Sequence, residues 1–335
     1  MMGVQTETPA RGQARPGQDS HKANAAGLSD ISRGWAAVKP SQTTDARGLT
    51  ATLGGRWHGR YGTAPCPVCQ PERRKKQSAL TITDGRNGRL LLHCKKSGCG
   101  FMDILAAAGL RSWDYAPPDP ATLARRDREA KAEARRKAEQ AKRLWREAQP
   151  IEGTVAETYL RNRGITCDLP RTLRFHPECW HGATAKRYPA LIAAVQGAGA
   201  AAVHRTYLRP DGGWKADVEP AKAMLGATAG GAVRLADGPA RLVVAEGIET
   251  GLSLLCGLLG RPAAVWAALS TSGLRGLRLP TQPGRLTIAL DGDAPGREAG
   301  HALAERAHAL GWRVSFLDPG DGRDFNDVLQ ERAAA

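Results

Sequence analysis

The chain has 335 residues, 41% of them hydrophobic and only 5% aromatic, with 39 Gly and 21 Pro. That length exceeds one ordinary domain and suits two or three. Lys and Arg outnumber Asp and Glu 48 to 33, and the excess is lopsided, at 27 against 14 in the first 150 residues and 21 against 19 afterwards. A basic first half points to a polyanionic partner, nucleic acid or an acidic membrane surface. No apolar run reaches the roughly 18 residues of a membrane-spanning helix, so no membrane insertion is expected. The N-terminus carries no hydrophobic signal core, which predicts a cytoplasmic protein. In a reducing compartment the seven cysteines do not read as a disulfide framework, and their spacing needs another reason.

Residues 1–45 are rich in Gly, Gln, Ala, Ser, Thr and Pro without apolar periodicity and read as a disordered leader. A cysteine-bearing module is expected over 46–112, its order beginning near Leu49, with Leu53 and Trp57 packing under the first pair of cysteines. Between Ala121 and Gln149 the chain is dense in Ala, Arg, Lys and Glu and free of Gly and Pro. This predicts a long helix closed by Pro150, read as a solvated, charged linker over 113–150. A mixed α+β domain is expected over 151–238, with a helix at 154–163 stopped by Gly164 and strands at 190–195 and 201–208. From 239 to 335 short apolar runs (242–245, 264–269, 286–290, 313–317) alternate with helical stretches (249–259, 296–310). That alternation predicts an α/β domain built on a parallel sheet.

Cys66-Pro-Val-Cys69 is followed 25 residues later by Cys94 and then by Cys99. Two knuckles separated by a hairpin-length insert have the spacing of a zinc ribbon, four thiolates around one Zn2+. Strand-like runs at 78–83 and 89–92, joined by Asp84-Gly85 and Asn87-Gly88, supply the hairpin. His93 beside Cys94 is an alternative ligand. Arg73-Arg74-Lys75-Lys76, Lys95 and Lys96 edge the module with cations, and Trp57 and Tyr61 offer stacking surfaces for a single strand. Cys167, Cys179 and Cys256 lack metal-site spacing, and His176, Cys179 and His181 read as core or surface residues.

Two runs of the C-terminal part end in acids. Residues 242–245 lead into Glu246-Gly247, and 286–290 into Asp291-Gly292-Asp293. In an open parallel sheet, ligands bind beyond the carboxyl ends of the strands. Asp291 and Asp293 project to the same side, about 6.6 Å apart in extended backbone, and can share hydrated Mg2+. Asp321, Asp324 and Asp327 follow the next strand as a third wall. A single such acid is most often a helix cap; three groups at one edge repel unless a cation holds them. No Gly-x-Gly-x-x-Gly follows a strand and no Gly-x4-Gly-Lys-Ser/Thr occurs, so dinucleotide binding and a nucleotide-driven motor are excluded.

The EG at Glu246-Gly247, the DGD at 291–293 and the later DFND resemble a Toprim domain, the Mg2+-binding fold of DnaG-type primases, type IA and II topoisomerases and some nucleases. GGRWHGRYGTAPCPVC and LLHCKKSGCG resemble the N-terminal zinc ribbon of phage and plasmid primases. VHRTYLRPDGGWKA and PAKAMLG are similar to the region before Toprim in such proteins. The resemblance covers most of 50–330. It implies Glu246, Asp291 and Asp293 as ligands of Mg2+ (or Mn2+), with Asp324 as a fourth catalytic carboxylate. It also implies Cys66, Cys69, Cys94 and Cys99 as zinc ligands, and Arg205 and Lys222 as contacts to a nucleoside triphosphate or template. Glu249 matches a further acid after EG, or caps the following helix. Many primase ribbons carry His where Cys69 stands, and the second knuckle here is longer. The implied activity is synthesis of RNA primers on single-stranded DNA, with any replicative helicase a separate partner. A Toprim nuclease or a non-catalytic DNA-binding accessory protein are the alternatives. The lack of large tyrosine-bearing gate domains argues against a topoisomerase.

Overall fold

The structure, a computed structural model, describes residues 44–72, 78–85, 89–111, 115–238 and 241–334. The chain divides into two units between Asp119 and Pro120. Almost all of the expected leader, the basic run 73–76 and the 86–88 turn lie outside the described residues.

The first unit is a small antiparallel sheet between two helices. Helix α1 (Ala46–Thr52) starts where the Asp45 carboxylate accepts a hydrogen bond from the Gly48 N–H at 2.7 Å, satisfying an otherwise orphan donor of the first turn. Strands β1 (Arg56–Trp57), β2 (Gly62–Ala64), β3 (Leu80–Asp84) and β4 (Leu90–Cys94) pair in that order. Alternation decides which face is buried: Leu80 and Ile82 point inward, as do Leu90 and Cys94, against Leu49 and Leu53 of α1 and Ile104 and Leu105 of α2 (Phe101–Ala107). Trp57 packs partly into the same core, as expected.

The second unit opens with α3 (Pro120–Glu147). Its exposed length is laced by pairs one turn apart, such as Lys131 to Asp127 at 2.7 Å. The expectation of a solvated linker is corrected for its C-terminal part. Ala141 is buried, and Leu144, Trp145 and Ala148 pack with it on the sheet that follows. Small alanines let helix and sheet approach closely, a contact invisible to a search for large apolar residues.

That sheet is antiparallel, in the order β5 (Leu173–His181), β6 (Lys186–Val195), β7 (Ala202–Tyr207), β8 (Lys222–Leu225). Strand β5 contains Pro177, which has no N–H to give a ladder. A register shift between His176 and Cys179 accommodates it. One face receives α3. The other joins α4 (Val155–Asn162) and the last sheet in a single core that includes Tyr159, Leu160, Leu191, Val243 and Val265.

The last sheet runs β13 (Arg313–Leu317), β12 (Arg285–Ala289), β10 (Arg241–Ala245), β11 (Ala264–Ala267), β9 (Val233–Ala236). Strands β10 to β13 are parallel, as the apolar runs predict, whereas β9 pairs antiparallel with β11 and extends the sheet upstream of residue 239. Helices α5 (Ile248–Ser253), α6 (Thr271–Gly276), α7 (Ala294–Ala309) and α8 (Phe325–Ala334) complete the unit. The helix expected over 249–259 is regular only to Ser253; it then widens and leaves helical dihedrals at Cys256 and Gly257. Chain order fixes the important edge. From β10 the chain crosses to β11 on one side, and from β12 to β13 on the other. The adjacent pair β10 and β12 is therefore the topological switch point, where such sheets open a crevice beyond their carboxyl ends.

Candidate metal centres

Cys66 and Cys69 lie in the turn after β2, Cys94 ends β4, and Cys99 stands just before α2. The four sulfurs all lie within 4.8 Å of one another, Cys69 to Cys94 being 3.5 Å apart. Gln70 braces the first knuckle, its side-chain oxygen accepting from the N–H groups of Cys66 (3.1 Å) and Ala79 (3.0 Å). Burial opposes ionisation of Cys94, yet the backbone N–H groups of Ser97, Cys99 and Lys96 bring its thiol down to about 6. Burial and neighbouring sulfurs push Cys99 up to about 12. Four thiolates in that space are tolerable only around a cation, and the donor set fits tetrahedral Zn2+. His93 is exposed, alternates with Cys94 on β4 and is not in the cluster. Trp57 donates its Nε1–H to Gly59 and is half-buried, so Tyr61, 43% exposed and stacked with His58, remains the open aromatic surface.

At the switch point, Glu246 follows β10 and Asp291 follows β12; because Ala245 and Ala289 are paired, Asp291 stands one residue further along its strand than Glu246. Gly292 holds the third segment in place. Its N–H donates to Arg323 O (2.8 Å), and its carbonyl accepts from Gly322 (2.9 Å). A Cβ there would lie 2.0 Å from the Gly320 oxygen, so only glycine permits this approach, which carries Asp324 toward Asp291.

The acids do not play equal parts. Asp293 caps α7, accepting from Gly296 N–H at 2.7 Å, and Asp324 caps α8, accepting from Asn326 (2.7 Å) and Asp327 (2.9 Å). Asp321 is exposed and paired with Arg297 at 2.8 Å. Asp291 caps no helix, and Glu246 accepts from the backbone N–H of Thr271 at the start of α6. Burial, then the charges of Asp291 and Asp293, push Glu246 up to about 7. Burial, then Asp324 and Asp293, push Asp291 up to about 6. The Oδ1 of Asp291 is buried without a hydrogen-bond partner. A buried carboxylate oxygen normally finds a donor, so this one is open to a ligand from outside the chain. Among the described residues the four cysteines are the one group of three or more donors drawn close enough to hold an ion between them. The acids are not drawn together in that way but feel one another's charge, which suits a cation that keeps most of its water and takes one or two carboxylates directly, as Mg2+ does.

Beside these acids Lys222 of β8 pairs with Glu249 at 3.0 Å, and Tyr159 of α4 donates to the other Glu249 oxygen at 2.8 Å. Glu249 is 6% exposed; these partners overcome its burial and hold its carboxyl well below the usual range. It is therefore not a free ligand, and it also accepts from its own backbone N–H in the first turn of α5. His204 is buried, with Nδ1 unpartnered; burial and then Lys222 push it down to about 4. Tyr159 and His204 were not foreseen. Tyr159 lies 90 residues from its partner Glu249, and no local pattern links them.

Arg205 does not join Lys222. Across β7 and β8, Thr206 pairs with Lys222 and Arg205 with Ala223, so the two cations leave opposite faces of the sheet. Arg205 lines a cavity of about 590 Å³ beneath α3, bonded to the carbonyls of Trp180 and Met224. Cys179 is buried, and His181 is held by Thr184 and the Pro220 carbonyl, in keeping with their reading as structural.

No helix among the described residues is long and apolar enough to cross a membrane. No curated protein matches the chain. Among solved structures it is similar to the crystal structure of the Aquifex aeolicus primase (zinc binding and RNA polymerase domains), at 12% identity and a TM-score of 0.39, covering 84% of this chain and 78% of that one. Residues 135–235 match a family model described as a domain of unknown function (DUF7146). Residues 241–335 match the Toprim domain model, so the acidic switch point belongs to a Toprim domain at the C-terminal end of this chain.

Proposed function

We propose that the protein is a primase-like nucleotidyltransferase, joining ribonucleotides on a single-stranded DNA template. The observation that carries this reading is the buried, unpartnered oxygen of Asp291 at the switch point of a Toprim sheet, where its charge and that of Glu246 are felt together. Glu246, Asp291 and Asp293 would hold Mg2+ or Mn2+, with Asp324 close enough to raise the Asp291 pKa. When bound, that ion supplies charge neutralisation at a phosphate and acidifies an attacking hydroxyl. The chain's own residues do the rest. Lys222, fixed by Glu249 and Tyr159, places a cation beside the acids where a triphosphate needs one. The Glu246 and Asp291 carboxyls, half-buried and crowded by like charges, would ionise more readily beside a cation. Cys66, Cys69, Cys94 and Cys99 would hold Zn2+ and fix the fold of the first unit, whose Lys95, Lys96 and Tyr61 suit a single strand. A cytoplasmic setting and a separate helicase partner accompany this reading.

The test is incorporation of labelled ribonucleotide on circular single-stranded DNA, with products resolved by length. Short products that depend on Mg2+ and template are expected, and Asp291→Asn should remove them while leaving DNA retention intact. Degradation of end-labelled DNA without any nucleotide requirement would replace this reading with a nuclease. DNA binding with no turnover in either assay would leave a binding protein.

A further inference from the structure

Between β7 and β8 the chain makes an excursion, 208–221, that none of the roles above requires. It is braced at every turn. Arg209 clamps Asp217 with two bonds of 2.9 and 3.1 Å, Asp211 accepts from Gly213 at 2.9 Å, Arg209 N–H donates to Trp214 O at 3.0 Å, and Leu208 bridges to Lys215. Gly212, with φ of +71°, sits so close to α4 that a Cβ would lie 2.8 Å from the Val155 oxygen. This rigid loop presents Trp214, which keeps 43% of its surface open. The Arg163 guanidinium lies 4.9 Å from its ring and the Lys215 ammonium 5.6 Å.

The loop is tied to the acids. The Arg163 carbonyl accepts from the Asn326 side chain at 2.7 Å, and the Asn326 backbone N–H donates to Asp324 at 2.7 Å. Lys215 feels the same charges as the acids: burial and then Lys222 pull its pKa down, while Glu249 and Asp324 push it up. The Arg163 Nε is buried without a partner. A large, open indole on a stiffened loop, flanked by two cations and next to metal-type acids, has the parts of a nucleotide cradle. Its aromatic surface suits a base, and the cations suit phosphates.

We propose that Trp214, with Arg163 and Lys215, forms the binding platform for the nucleoside triphosphate, the base lying on the indole and the phosphates reaching Lys215 and Lys222. This rests on the nucleotidyltransferase reading and names the substrate contacts of that same site. Arg163 and Lys215 thus take the place that sequence resemblance gave to Arg205.

The test is equilibrium binding of a non-hydrolysable ribonucleoside triphosphate to the full zinc-loaded chain in Mg2+ without DNA, followed by kinetics. Trp214→Ala should weaken nucleotide binding about 5- to 150-fold, the range for loss of one base stack, and raise KM with little change in kcat. Trp214→Phe should restore most of the affinity. Arg205→Ala should leave nucleotide affinity unchanged. An unaltered thermal melt confirms that the exposed indole was not holding the fold. Unchanged nucleotide affinity and KM in Trp214→Ala would overturn the platform, as would a loss confined to oligonucleotide binding, which would make the indole a template contact. The two readings fail separately: a protein that binds nucleotide through Trp214 yet synthesises nothing sinks the proposed reaction, and one that synthesises normally without Trp214 sinks the platform.

Discussion

The chain carries two clusters of metal-type donors, one of sulfur and one of oxygen, and they are built on opposite principles. The cysteines are drawn within 4.8 Å of each other, and all four protein positions of a tetrahedron are filled. The acids are spread along the ends of two strands and the loop after a third, and two of them, Asp293 and Asp324, also cap helices. A closed set leaves no coordination site for a substrate, whereas a loose one does. The difference teaches that the sulfur cluster is part of the fold of its unit, and that the oxygen cluster is held apart by a fold that stands without it. The core around Val243, Ala245 and Leu254 is complete beneath the acids.

That contrast gives the largest expected effect. Removing zinc, or making Cys66→Ser, should unfold residues 44–111, because in structural zinc sites the binding free energy, about 10 kcal/mol or more, is folding free energy. Limited proteolysis should then cut the first unit while fragments of 120–334 survive. Equal resistance of both units would break the contrast. Next comes Asp291→Asn, which should cut nucleotide incorporation about 10²–10³-fold, as loss of a preorganised charge at a reacting centre does, without lowering the melting temperature. Glu249→Gln should act on the fold as well as on the placing of Lys222. It leaves Lys222 and Tyr159 short of a buried acceptor and should cost about 1–3 kcal/mol in denaturant titration. The smallest effect separates the two duties of Asp293. Asn is as good a cap as Asp, so Asp293→Asn should change stability by no more than about 0.5 kcal/mol while lowering activity. Unchanged activity would make Asp293 a cap and nothing else.

How much of this could be read from the sequence follows from the range of each interaction. The cysteine set was legible because its two knuckles are each local and the hairpin between them writes itself in alternation, Leu80 and Ile82 against Thr81 and Thr83. Glu246 and Asp291 were legible because apolar runs mark the strands they terminate. The burial of α3 was not, since alanines carry the contact. Strand β5 hid behind Pro177, and β8 is only four residues long. For Arg205 parity was the hidden fact: one residue along a strand reverses the face, which sets it opposite Lys222, and no motif records which face meets the acids. The ties from Glu249 to Tyr159 and from Arg163 to Asn326 span 90 and 163 residues, distances over which only the fold brings residues together.

The central claim is that the acids at the switch point form a divalent cation site, and a melting experiment reaches it without any catalysis. Burial and the neighbouring carboxylates push Glu246 up to about 7 and Asp291 up to about 6, above ordinary carboxyl values. Groups with raised values favour the fold while protonated, and that stability is lost as the pH rises through those values. A cation that binds only the folded protein with those acids ionised returns it. Adding millimolar Mg2+ to the zinc-loaded protein should therefore raise the melting temperature by several degrees at about pH 8 and hardly at all at about pH 5. Asp291→Asn should melt higher than the wild type at pH 8 without Mg2+ and should lose the response to it. A wild-type melting temperature at pH 8 that is the same with and without Mg2+ would contradict the account.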